Sequence, residues 1–192
     1  MIKKLLSTEQ RTIDEETRTV TFCISDETED RHRTIIKIDG WDLTDYNKNP
    51  VVLWGHKSHT DNPDMVIGTG RVYREGNKLM ADATFETEDV NPLAEKVLKK
   101  IIAGTIRMTS VGFDPTEYRW GYSDLGEDPD KFYYAKQSLL EFSIVPIGSN
   151  PNALIQKSID TIKQHMSDAE RPEDIEEEQR NHKAISIAYA LQ

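Results

Sequence analysis

The sequence predicts an α+β fold: a β-rich body with one internal helix, followed by a helical and acidic tail. Three observations lead there. The first half alternates polar and apolar residues and is rich in β-branched side chains, the pattern of half-buried strands. The period switches to that of a helix just after Asn91-Pro92 and back to β at Arg107. Beyond Asn150 the composition changes again, towards helical spacing and then acidity.

The elements follow in order. Thr17 to Asp26 alternates as a strand, and Thr34 to Ile38 is a second candidate, ended by Asp39-Gly40. Val51-Val52-Leu53-Trp54 is a short apolar run of the kind a buried strand carries. Met65 to Arg74 and Lys78 to Glu86 flank Glu75-Gly76-Asn77, where Gly and Asn accept the positive φ of a tight turn. Asn91 reads as a helix N-cap with Pro92 in the first helical position. Leu93, Val97, Leu98, Ile101 and Ile102 follow at helical spacing, and Gly104 is the expected stop. Arg107 to Tyr118 and Phe132 to Ile147 are two further strand segments, separated by the turn-rich stretch from Ser123 to Asp130. Ala153 to Met166 has helical spacing, with Leu154, Ile155, Ile159, Ile162 and Met166 in one stripe. Asp168 to Arg180 then holds seven acids against two arginines, a composition usual for solvated or disordered chain. Ala184 to Gln192 regains a helical pattern. The expected division is a body over residues 1–157 and a tail over residues 158–192.

The 192 residues suffice to close one core without disulfides or metal. A formal net charge of −10 argues against a nucleic-acid surface and against docking on anionic membranes, both of which need clustered Lys and Arg. No stretch approaches the ~20 apolar residues of a membrane-spanning helix, and the N-terminus turns polar too early for a signal peptide. Cys23 is the sole cysteine, which excludes an intramolecular disulfide and fits a reducing compartment. Its place in an alternating strand reads as a buried structural thiol rather than a nucleophile.

Three separated segments could carry chemistry. His56 lies just past the end of the Val51–Trp54 strand, where a scaffold can hold it while the ring faces a cleft; a surface-loop histidine is the plain alternative. With His59 it forms an H-x-x-H near Asp61 and Asp64, but neither a helix nor a cysteine pair supports a zinc site there. Ser110 lies in Arg107-Met108-Thr109-Ser110-Val111-Gly112-Phe113, a β-prone stretch after the helix stop, with Gly112 permitting close backbone approach. A serine hydroxyl attacks only when a base removes its proton, so this candidate requires a histidine within reach. Glu141 stands between apolar neighbours in Leu139-Leu140-Glu141-Phe142-Ser143-Ile144-Val145-Pro146. If Leu140, Phe142 and Ile144 share one face of a strand, Glu141 and Ser143 share the other. A buried carboxylate needs a partner. That partner is either a cation, Arg107 or a lysine, or the His56 ring, which Glu141 would then orient and stabilise when protonated.

Together these segments resemble the prohead proteases of tailed bacteriophages: Leu-Trp-x-His, a helix, Ser-x-Gly-Phe, then Leu-x-Glu-x-Ser-x-Val-Pro and Asn-Pro-Asn-Ala, from about Thr17 to Leu154. Ile67-Gly68 to Val72, a glycine before a strand, fits as well. The family looks like a distant relative of herpesvirus assembly proteases. The resemblance therefore implies a mostly antiparallel β-barrel core flanked by helices, with residues 1–157 as the protease domain. It implies Ser110 as nucleophile and His56 as general base of a serine endopeptidase, with Glu141 as third member and His59 as its competitor, since the herpesvirus relatives use a second histidine. Gly55 and Lys57 depart from the Asn and acid that often flank the family's histidine. Backbone amides near Val111-Gly112, or in the Gly148-Ser149-Asn150 turn, would receive the oxyanion. No cofactor or metal is implied. The expected substrates are the phage major capsid protein, its scaffold segment and the enzyme's own tail, met in the host cytoplasm and inside the procapsid. The expected assembly is a homodimer or higher oligomer. The rival readings are a catalytically inactive scaffolding module of the same fold and a metal-dependent hydrolase built on His56, His59 and Asp61.

Overall fold

The computed structural model describes residues 2–7, 12–29, 34–146 and 164–169. In chain order the strands are β1 (Ile2–Ser7), β2 (Thr12–Asp14), β3 (Thr19–Asp26), β4 (Thr34–Ile36), β5 (Trp41–Asp42), β6 (Val51–Trp54), β7 (Val66–Glu75) and β8 (Lys78–Phe85). Helix α1 (Pro92–Ile102) follows, then β9 (Met108–Trp120) and β10 (Phe132–Val145). Among the described residues all ten strands belong to one sheet, with the path β1-β9-β10-β6-β7-β8-β3-β2. β10 is its spine. β9 runs antiparallel along one side of it, while β4, β5 and β6 pair in turn, parallel, along the other.

The sheet is open, which corrects the expected closed barrel. Among the described residues β1 pairs with β9 and β2 with β3, and no ladder joins these two ends. β2 has three residues, too few to bridge the gap. The curl of the sheet is nonetheless strong enough to bring β3 over β10, where Phe22 and Phe142 meet edge to face at 6.1 Å. The expected flanking helices also reduce, among the described residues, to α1, a short helical turn at 164–168 and four single-turn 3-10 helices.

Alternation explains the core. Val20, Phe22 and Ile24 of β3, Leu79, Ala81 and Ala83 of β8, and Val111 and Phe113 of β9 are buried on successive odd or even positions. The Glu75–Lys78 hairpin closes through Gly76 at φ 55°, a conformation glycine adopts without steric cost. Helix α1 lays Ala94, Val97, Leu98 and Ile101 against β7 and β8, and each large side chain so buried contributes about 1.5–3 kcal/mol. Ile102, expected in the same stripe, stays exposed.

Asn91 ties this helix to the loop that follows β6. Its side-chain oxygen accepts from Leu93 N at 3.0 Å and Ala94 N at 3.2 Å. Its amide donates to Asp64 O, Val66 O and Glu86 Oε2 at 2.9–3.0 Å. Asn91 is 1% exposed, so its own amide cannot turn to water instead. Asn91→Ala is therefore expected to cost about 1–3 kcal/mol, the lost cap plus the lost hydrogen bonds of a buried amide. Urea denaturation read at two wavelengths measures it; an unchanged midpoint would mean that the cluster is not closed in solution.

The described part of the tail packs back on the body. The His165 ring stacks on Tyr118 at 4.3 Å, and Trp120 Nε1 donates to Met166 O at 3.3 Å. Burial pushes the His165 imidazole below its ordinary value. The rest of the expected Ala153–Met166 helix, the acidic run and the Ala184–Gln192 helix lie outside the described residues. No helix among the described residues is long and apolar enough to cross a membrane.

Candidate active site

A bulge in β10 builds the site. The register runs Leu139 opposite Phe113 and then Glu141 opposite Gly112, so Leu140 is an extra residue without a partner in the ladder. Leu139, Phe142 and Ile144 can then all enter the core, fully buried, while the exposed Leu140 turns outward. Leu140 thus does not share the face of Phe142 and Ile144, as strict alternation required. Glu141 and Ser143 point together to the opposite side. Their neighbours across the ladder are Gly112 and Ser110 of β9. Directly opposed residues in an antiparallel pair keep their Cβ atoms about 4.5–5.5 Å apart on one face, so Ser110 and Ser143 are neighbours.

His56 arrives from the other side of β10. β6 pairs parallel with β10, Ser143 beside Leu53 and Ile144 beside Trp54, and Gly55 N donates to Ile144 O at 2.9 Å. The chain then makes two left-handed residues in succession, Gly55 at φ 64° and His56 at φ 60°. Such a backbone suits glycine, the residue that stands at position 55. For histidine it is uncommon, and a residue held this way is fixed by its surroundings. Here the His56 N–H donates to Ser143 Oγ at 3.3 Å.

The His56 ring meets the Glu141 carboxylate, Nδ1 to Oε1 at 2.5 Å, and Ser143 Oγ donates to Oε2 at 2.5 Å. The side chains of His56 and Glu141 are 8% and 4% exposed, so the contact is hardly screened by water. An ionised carboxylate only accepts hydrogen bonds, so Nδ1 carries the ring proton and Nε2 is the basic nitrogen. Ser110 itself is 1% exposed. On its other side β1 runs antiparallel, with Leu5 opposite Ser110.

All three residues singled out by sequence, His56, Ser110 and Glu141, are thus brought to one face of β9, β10 and the loop after β6. The cationic partners considered for Glu141 are not what it contacts: Arg107 Nε donates to Gly104 O at 2.7 Å instead. His59 is exposed, its Nδ1 3.0 Å from Ser58 Oγ, and does not share the His56–Glu141 contact. Among the described residues no three His, Cys, Asp or Glu side chains are grouped to hold a metal. Cys23 is buried in β3, its thiol 3.6 Å from Ser25 O. The Gly148-Ser149-Asn150 turn lies outside the described residues.

Two contributors carry no role in the sequence reading. Ser143 had a signal: it stands two residues from Glu141 on a strand and must share its face. Tyr46, in the loop between β5 and β6, had none. It is 2% exposed and donates to Val51 O at 3.3 Å; burial first, then the Glu141 charge, push its hydroxyl far above the ordinary phenol range. It therefore stays neutral within the core.

Residues 11–168 match the family described as Caudovirus prohead serine protease. The structure is also similar to that of the bacteriophage T4 capsid assembly protease, gp21, at 11% identity and a TM-score of 0.39, over 76% of this chain and 96% of that one. At that level the likeness says nothing about individual residues. No curated protein matches the sequence.

Proposed function

Since the chain belongs to the caudovirus prohead serine protease family and its function is capsid-maturation proteolysis, we propose that it is a serine endopeptidase in which Ser110, His56 and Glu141 form the catalytic set. One observation carries the assignment: Glu141 grips His56 Nδ1 at 2.5 Å, while Ser110 stands in register with Ser143, the residue that holds the His56 backbone. His56 Nε2 takes the Ser110 proton as Oγ attacks the scissile carbonyl, forming the new C–O bond and a tetrahedral oxyanion. Collapse breaks the C–N bond, and His56 returns the proton to the leaving amine. Water, activated in the same way, then releases the acyl group from Ser110. Glu141 stays ionised throughout and stabilises the imidazolium that forms twice per turnover.

The substrates proposed for this chain are the major capsid protein, its scaffold segment and the enzyme's own residues 158–192, cut inside the procapsid after synthesis in the host cytoplasm. A homodimer or higher oligomer is the proposed assembly. Co-expression with the capsid protein of the same phage, followed by intact mass of every chain, tests the reading. Wild type is expected to shorten the capsid protein, and Ser110→Ala to leave it full length. Identical masses in both would overturn the proposal.

A further inference from the structure

Ser143 takes no part in the proton transfers of the reaction as described. It is fully buried, and its hydroxyl does two things at once: it donates to Glu141 Oε2 at 2.5 Å and accepts from the His56 N–H at 3.3 Å. The first bond fixes the rotation of the carboxylate, so that one oxygen faces the imidazole while the other is held by Ser143. The second holds a histidine at φ 60°, in the left-handed region that few residues other than glycine adopt. Both ends of the His56–Glu141 contact are therefore set by one hydroxyl on a rigid central strand.

Resting on the reading of Ser110 as nucleophile, we propose that Ser143 is the positioning residue of the catalytic set, clamping carboxylate and histidine backbone together. Its hydroxyl proton is committed to Glu141. Ser143 is accordingly not a second nucleophile, although it lies beside Ser110 on the same face. What it supplies is orientation, and a loss of about an ångström in placement costs on the order of 100-fold in rate.

The test uses the full chain and a fluorophosphonate probe, with the inactivation rate and the probe's half-saturation measured separately. Ser143→Ala is expected to keep half-saturation and to inactivate roughly 10- to 100-fold more slowly. Proton NMR gives a second readout: the low-field resonance of a short Nδ1–H to carboxylate bond is expected in wild type and lost in Ser143→Ala. Ser143→Thr and Ser143→Val, equal in shape and differing in the hydroxyl, guard against a folding defect. Thr is expected to restore both readouts and Val neither. Equal behaviour of Thr and Val, or a wild-type rate and resonance in Ser143→Ala, would overturn the proposal. A probe adduct on Ser143 in wild type would instead overturn the assignment of Ser110, so the two failures are distinct.

Discussion

Ser110→Ala is expected to give a folded protein whose peptide cleavage has fallen by roughly 10⁴- to 10⁶-fold, the cost of removing a nucleophile from a set that works as a unit. The change deletes one oxygen at a position 1% exposed and leaves the β9–β10 ladder in place. Core volume is untouched, since Val111 and Phe113 face the other side. The stability cost is therefore about 1 kcal/mol, that of a single hydrogen bond. Circular dichroism and thermal unfolding measure the fold, and cleavage of the capsid substrate measures the activity. A Ser110→Ala protein that still cleaves would remove the nucleophile from the account. One that unfolds would make the serine structural.

Glu141→Gln is the second large effect, and its cause differs. The glutamine keeps the shape, but its amide can donate to His56 Nδ1 as well as accept from it. The ring can then carry its proton on Nε2, the nitrogen that must accept the Ser110 proton. A wrong tautomer and an unstabilised imidazolium together are expected to lower kcat by about 10³- to 10⁴-fold with KM little changed. His59→Ala is the matching control. His59 is exposed and bonds to the neighbouring Ser58 hydroxyl, so activity within about twofold of wild type is expected, as for most surface positions. Steady-state kinetics on a capsid-derived peptide separate the two. The reverse pattern, with Glu141→Gln active and His59→Ala inactive, would hand the third role to His59.

Much of this was legible where the pattern is local. β6 begins and ends where the apolar run Val51–Trp54 does, and Asn91-Pro92 capped α1 as its residue types require. Gly76 closed the hairpin that alternation placed around it. The strand expected from Thr17 begins at Thr19, because the Asp14 carboxylate accepts from Glu16 N and Thr17 N and turns the chain. β1 escaped notice since Ile2-Lys-Lys-Leu-Leu-Ser does not alternate and is a strand only by lying against β9. β5, with two residues, is likewise defined by its partner β10.

In the site, His56, Ser110 and Glu141 could be singled out from their segments, and the His56–Glu141 contact stood there only as one of two alternatives. The bulge at Leu140 belongs to the pairing of two strands far apart in sequence, and it decides which face Glu141 takes. The left-handed backbone of His56 was hinted at by Gly55 alone. The open sheet follows from the same limit: whether a curled sheet closes depends on pairing at its ends, and no residue in β1 or β2 announces it.

The most direct measurement is to react the intact protein with a fluorophosphonate, digest it and locate the adduct by mass spectrometry, in wild type and in His56→Ala. The account predicts a single adduct on Ser110 in wild type and labelling slowed by about 10³-fold or more in the variant. An adduct on Ser143 or another serine, or capsid cleavage by a protein that takes no label, would contradict it.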